Sequence, residues 1–319
     1  MSFPNVSDII ATTIESRTKK IADNVTKNNA LLQRLAKRGK MKTFSGGRLI
    51  YEELSFAENG NAGWYAGYDL LPVAAQDVIS AAQFDIRQAA CPVIVSGLEL
   101  LQNAGPEQMI DLIASRIDVA ESTMRNLVCG GLYSDGTGSG GKEITGLNAA
   151  VPVDPTTGTY GGINRATWNF WRSKIRNVAS TATIQTDFNA LWAQLVRGAD
   201  RPDLIPVDNV VWQAYLASLQ AQQRFTQSDT GDLGFPTLKY MDADVVLDGG
   251  IGGFCPAGTG FMLNTDYIRF RPHSARNFVP LSPNKRYSIN QDAEVQILAW
   301  AGNLTCRGAQ FQGRLDVNP

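Results

Sequence analysis

Few residue patterns in this chain could do chemistry, and each lacks a part that the chemistry needs. Gly136-Thr-Gly-Ser-Gly-Gly141-Lys142 fits the GxxxxGK pattern of a phosphate-cradling loop. Such a loop requires a strand before it, a helix after it, and a Ser or Thr beyond the lysine to hold magnesium. Here a helical pattern precedes the loop, Glu143 follows the lysine, and Gly146 comes too soon for a helix. Val245-Val-Leu-Asp248 has the form of the companion metal-binding strand, but Gly249-Gly250 makes it the entry to a turn. The one histidine, His273, stands among Arg269, Arg271 and Arg276. A Ser-His-Asp triad needs a histidine held by a carboxylate, so His273 reads as a strand-end or interface residue. Cys91, Cys129, Cys255 and Cys306 are widely spaced and form no CxxC pair, which argues against disulfides and zinc and fits a reducing compartment. Glu52 and Glu53 are adjacent, so on a strand they point to opposite faces and read as solvated or intersubunit charges. These patterns assign no catalytic residue, no cofactor and no metal. The enzyme alternative is a nucleotide hydrolase built on Lys142.

Composition says what such residues would be mounted on. A chain of 319 residues that is 44% hydrophobic can bury a core as one large domain or two moderate ones. Thirty glycines and only 18% charged residues favour a β-rich, turn-rich fold over a helical bundle. The net charge of −1 points to neither nucleic acid nor membrane globally. Its distribution is uneven: residues 1–48 hold ten Lys/Arg against three acids, a net of +7, which leaves −8 for the rest. A basic arm on an acidic body suggests an arm facing a polyanion or the acidic face of a neighbour. The first residues do not read as a secretion signal, and no apolar run is long enough to span a membrane.

Periodicity places the elements. Ile10, Ile14, Ile21, Val25, Leu31, Leu32 and Leu35 form a narrow helical stripe from Asn5 to Arg38, stopped by Gly39. A stripe that narrow suits an arm docked on another surface. Residues 44–72 read as a two-stranded hairpin: one strand from Arg48 to Phe56, a glycine-rich tip over Glu58–Gly63, and a return strand from Trp64 to Leu71. Its aromatics, Tyr51, Phe56, Trp64, Tyr65 and Tyr68, call for a cover, which a neighbouring subunit would supply. Strand pattern follows over Ala81–Leu101, then a long helix opened by Gly105-Pro106 and ended by Gly130-Gly131. Ile144–Val153 reads as a short strand and turn. Three helices are expected next: one with Trp168, Trp171, Ile175 and Val178 on a face, one capped by Thr186 and stopped by Gly198, and one capped by Asp208. Residues 226–234 read as a polar loop, and everything from Lys239 onward reads as β.

The C-terminal third carries a distinctive run: LKYMDADVVLDGG at 238–250, CPAG at 255–258, FMLNTDYIRFRPH at 261–273, RNFVPL at 276–281 and YSINQDA at 287–293. It resembles tailed-bacteriophage major capsid proteins, and the order of elements resembles their Hong Kong ninety-seven-type fold. The resemblance implies an α+β architecture with an N-terminal arm (1–43), an extended hairpin loop (44–75), a peripheral domain with a long spine helix (76–143 and 266–293) and an axial domain (144–265 and 294–319). It implies a non-enzymatic shell protein, assembled as hexamers and pentamers around double-stranded DNA held without sequence preference. Portal and scaffolding or decoration proteins would be partners, no membrane would be, and the protein would be made in the host cytoplasm and end in the virion. The intersubunit contacts would come from the hairpin residues Arg48, Tyr51, Glu52, Glu53, Phe56, Glu58, Trp64, Tyr65, Tyr68 and Asp69. The inner-face contacts would come from Lys19, Lys20, Lys27, Arg34, Lys37 and Arg38. Some members of the family join hairpin lysines to asparagines, but this chain has no lysine from Leu49 to Ile86, so that crosslink is not expected. An encapsulin-like nanocompartment is the alternative within the same fold.

Overall fold

The computed structural model describes residues 29–102, 112–220, 237–250, 252–281, 286–287 and 292–317. The expected helix before residue 29, the Gly105-Pro106 helix start and the loop at 226–234 lie outside these residues. Two sheets organise the chain. The first has six strands in the order β6 (Lys174–Val178), β15 (Gly313–Val317), β10 (Thr259–Met262), β7 (Leu204–Val207), β9 (Ala243–Leu247) and β8 (Thr237–Tyr240). The pairs β6–β15 and β7–β9 are parallel, and the rest are antiparallel. The second sheet is built on the 14-residue strand β14 (Ala293–Cys306). Strand β3 (Arg87–Ser96) lies along it from Ala293↔Ser96 to Gly302↔Arg87, while β11 (Ile268–Pro272), β12 (Val279–Pro280) and β13 (Arg286–Tyr287) also pair with it. Strand β14 crosses the expected domain boundary at 293/294, so residues 294–306 share a sheet with 87–96.

The long helix, α3 (Leu112–Gly131), packs against β3 and follows the short α2 (Gly97–Gln102). Every fourth residue at Ala120, Met124 and Val128 is buried, which is the core stripe of an amphipathic helix. Beyond it, Gly146 lets the chain pass the helix end: a Cβ there would lie 2.5 Å from the Gly131 and Leu132 carbonyl oxygens. The chain then makes one helical turn, α4 (Leu147–Ala150), where a strand was expected. Helices α5 (Ile184–Leu195) and α6 (Asn209–Gln220) cover the six-stranded sheet with Phe188, Leu191, Val211 and Tyr215; α5 starts after Thr183, so Thr186 lies in its first turn and is not its cap.

The expected helix at 168–178 is instead a 3-10 turn, Asn169–Trp171, followed by strand β6. Ile175 and Val178 are β-branched, and the parallel partner β15 supplies a ladder that local helix propensity does not outweigh. Trp171 is fully buried, with its indole N–H donating at 2.8 Å to the carbonyl of Tyr160 in the two-residue strand β4 (Thr159–Tyr160), which pairs with β5 (Ile163–Asn164).

The arm's last turns are part of the core. Helix α1 (Ala30–Lys37) is capped by Asn29, whose side chain accepts from the Leu32 N–H at 2.8 Å. It ends at Gly39, φ +64°, with Gly39 N–H bonded to the Ala36 carbonyl and Lys40 N–H to the Leu35 carbonyl; this double closure is available because glycine adopts the left-handed conformation freely. Leu31 and Leu35 have no exposed surface. The basic face is held by the chain's own acids. Arg34 Nε lies 3.1 Å from Asp203 Oδ2 and its Nη1 3.2 Å from Asp244 Oδ2, with 12% of the side chain exposed. Arg38 Nε reaches Asp203 at 3.4 Å, and Lys40 Nζ reaches Asp266 at 2.8 Å. The described end of the arm meets an acidic face of its own chain.

A second ionic clasp fixes the hairpin. In β1 (Leu49–Ser55), Ile50, Glu52 and Leu54 point inward while Tyr51, Glu53 and Ser55 point out. Glu52 is 3% exposed and lies between Arg269 (2.9 Å), Arg271 (3.3 Å) and the Thr305 hydroxyl (3.0 Å). It is neither solvated nor free to face another subunit, which corrects the reading of Glu52. A buried carboxylate survives only with such partners.

Two stability tests follow from these clasps. Arg34→Ala takes from Asp203 and Asp244 the one enclosed cation they share, leaving each a more exposed partner, Arg38 and Lys239, and should cost about 2 kcal/mol in chemical denaturation, whereas exposed Lys37→Ala should stay within about 0.5 kcal/mol. Glu52→Gln leaves two guanidinium groups facing each other without a counter-charge and should cost about 3 kcal/mol, while Glu53→Gln on the opposite face should be near neutral.

Candidate assembly surface

Strand β1 pairs antiparallel with β2 (Ile79–Asp85), from Leu49↔Asp85 to Ser55↔Ile79. The return strand is therefore 79–85 and not 64–71. The chain between, residues 56–78, is a loop without strand structure. Its base is well anchored. Phe56 is half-buried against Trp168 (5.5 Å between ring centroids) and Phe170 (5.8 Å), and its N–H donates to the Val78 carbonyl. On β2, Phe84 is buried edge-on against Tyr160, and the Gln83 N–H donates to the Gly161 carbonyl.

Past Phe56 the anchoring stops. The loop's hydrogen bonds stay within it: Asn59 Oδ1 accepts from Asn61 N–H, Asn61 Nδ2 donates to the Ala74 carbonyl, and Asp69 Oδ2 accepts from Ala66 N–H. Six large apolar side chains, Trp64, Tyr65, Tyr68, Leu70, Leu71 and Val73, are exposed within ten residues, with Trp64 and Tyr68 bare on every side. Solvation alone does not maintain such a patch; contiguous exposed apolar surface marks a place where another surface docks. Of the residues expected on the hairpin, Arg48, Tyr51, Glu53, Glu58, Trp64, Tyr65, Tyr68 and Asp69 are exposed, Phe56 is half-buried at the base, and Glu52 is inside. Leu70, Leu71 and Val73 belong to the same patch and were not singled out from the sequence; their alternation with polar residues is too weak to flag them.

Of the expected inner-face residues, Lys19, Lys20 and Lys27 lie outside the described residues. Lys37 is exposed, whereas Arg38 is drawn to Asp203 and Asp266, and Arg34 is enclosed by Asp203 and Asp244. Arg34 is therefore a structural cation and not a phosphate contact.

The glycine loop does not have the geometry of a phosphate cradle. It runs from the end of α3 to the turn at Leu147 and folds around Glu143, whose carboxylate accepts from Ser134 (2.9 Å) and Ser139 (3.3 Å). A Cβ at Gly138 would meet that carboxylate at 2.4 Å, so an acid occupies the loop's interior, and a phosphate there would be repelled. His273 lies just past the end of β11, edge-on to Phe44 at 4.9 Å, with Nδ1 accepting from the Ala275 N–H. The four cysteines are unpaired as thiols.

No family model and no curated sequence matches the chain. Solved structures do. The capsid asymmetric unit of cyanophage A-1(L) aligns with a TM-score of 0.70 at 19% identity, covering 94% of this chain and 95% of that one. The capsid of a native GTA particle aligns at 0.63 and 12% identity, covering 94% of each chain. The holo-SrpI encapsulin complex from Synechococcus elongatus PCC 7942 aligns at 0.55 and 9% identity, covering 99% and 96%. Over nearly its whole length, this chain has the α+β Hong Kong ninety-seven-type fold of phage capsid proteins.

Proposed function

We propose that this protein is a major capsid protein that assembles as hexamers and pentamers into an icosahedral shell around double-stranded DNA. The observation that carries this reading is a chain with a capsid fold whose described residues form buried cores of their own, yet whose loop at 56–78 holds six large apolar side chains in water. A second copy is the occupant that a repeating shell supplies, and symmetry multiplies each modest contact. In this reading the five-stranded sheet and α3 form the peripheral part of the subunit, and the six-stranded sheet with α5 and α6 forms the axial part. With no lysine from Leu49 to Ile86, the loop would hold its neighbour by burial and pairing, without a lysine–asparagine bond. The basic residues Lys19, Lys20, Lys27 and Lys37 would face the genome and neutralise phosphates without reading sequence. Portal and scaffolding or decoration proteins would complete the particle. The protein would be made in the host cytoplasm and function in the virion; no described helix is long and apolar enough to cross a membrane.

The encapsulin-like nanocompartment is the second reading, favoured by the alignment with the SrpI encapsulin. The capsid chains align at higher TM-score and identity, which supports the first reading over it.

Replacing Trp64, Tyr68 and Leu70 together by serine should leave the subunit's unfolding free energy within about 0.5 kcal/mol and abolish closed shells in sedimentation and electron microscopy. Shells that form as in the wild type would overturn the role given to the loop. Reversing the charge of Lys19, Lys20 and Lys37 should lower the DNA content of purified particles. Unchanged DNA content would remove the arm from genome contact, and particles filled with a protein cargo instead of DNA would favour the encapsulin reading.

A further inference from the structure

Asp248, the last residue of the VVLD run, has a use unrelated to metal binding. It follows β9 directly, its N–H donating to the Val207 carbonyl (3.0 Å) and its carbonyl accepting from the Cys255 N–H (2.9 Å). It therefore closes the loop at 248–255 onto the six-stranded sheet. Its side chain points the other way, toward the end of the long helix, and accepts from the Tyr133 hydroxyl just beyond α3. The same loop packs on that helix end elsewhere: a Cβ on Gly130 would lie 3.5 Å from the Phe254 ring. Asp248 and Tyr133 are both buried, so the pair is a side-chain bridge between the long helix and the sheet, placed in a dry seam.

The groups around it leave the carboxylate without a counter-charge. From α3, Cys129 faces the pair, and Arg125 acts on Cys129. From the loop, Cys255 faces it, its thiol donating to the Thr259 carbonyl. Cys255 is in turn acted on by Asp208, Asp316 and Arg314. Arg314 is committed to Asp316 (2.8 Å) and Asn148 (2.8 Å), and Asp208 accepts from the Gly258 N–H (2.9 Å). Among the described residues, no cation pairs with Asp248.

We propose that the buried Asp248 carboxyl is a proton-operated latch in the seam between the end of the long helix and the six-stranded sheet: the seam stays closed while Asp248 is neutral and opens more readily when Asp248 carries a buried charge that no cation offsets and the Tyr133 hydroxyl only partly relieves. The latch is a property of the single subunit and does not depend on the shell reading.

Burial pushes the Asp248 carboxyl up from 3.8 to about 6, against the opposing pull of the Tyr133 hydroxyl and the Phe254 N–H. The same burial pushes Cys129 to about 12 and moves Cys255 and Tyr133 well above their ordinary values, so of these four side chains Asp248 is the one that changes charge between pH 4 and 7. Because the value is raised in the folded state, the stabilisation is fully present below pH 3.8 and is lost as pH rises through about 6.

Native-state hydrogen exchange on the full chain, corrected for intrinsic rates, reads the latch at the Asp248 and Cys255 amides. Opening of this seam should be roughly 25-fold more frequent at pH 7.5 than at pH 4.5 in the wild type. Asp248→Asn should show no difference between the two. Tyr133→Phe removes a donor to the carboxylate and should move the midpoint above that of the wild type. A wild-type-sized pH response in Asp248→Asn would overturn the proposal. If that variant does not fold, an unmoved midpoint in Tyr133→Phe would do the same.

Discussion

The burial of Glu52 between Arg269 and Arg271 is the contact on which the functional geometry depends. Strand alternation on β11 puts both arginines on one face and Phe270 on the other, where it stacks on Trp300 at 5.6 Å. One short strand thus carries an ionic face for the hairpin and an apolar face for the core. Glu52 joins β1 to β11 and, through Thr305, to the central strand β14. With the base so fixed, the chain past Phe56 leaves the body at a defined place, and its hydrogen bonds stay within the loop. A hairpin on a floppy root would fold its aromatics back onto its own chain; a clamped root keeps them presented.

The charge asymmetry has a related resolution. The excess of basic residues at the N-terminal end and of acids elsewhere is partly settled inside the subunit, where Arg34, Arg38 and Lys40 meet Asp203, Asp244 and Asp266. Asp203 is satisfied further by the Thr265 N–H and hydroxyl. Such enclosed pairs contribute little net attraction but penalise any arrangement that separates them. They therefore set where the arm leaves the body. Lys37, on the same helix, is exposed.

Much of this was legible in the sequence, where local chemistry decides. The Gly39 stop, the Asp208 cap of α6, the Ala120, Met124 and Val128 stripe of α3 and the β-rich C-terminal part are local signals, and the structure has them, although Leu127, expected on the same stripe, is exposed. What was not legible depends on distant partners. Strand β6 read as a helix because its ladder is made with the C-terminal strand β15. Glu52 read as a surface charge because its arginines lie 217 and more residues away in the chain. The run from Trp64 to Leu71 read as a strand because apolar residues in a hairpin normally mean a buried face; here they are exposed loop.

The account rests on that loop reaching a second copy of the chain. Electron cryomicroscopy of purified, assembled protein tests this directly. It predicts closed icosahedral particles in which residues 56–78 lie across a neighbouring subunit, with Trp64, Tyr68 and Leu70 removed from solvent. Particles in which the loop stays solvated or folds onto its own subunit, or protein that remains dispersed under every condition, would contradict it.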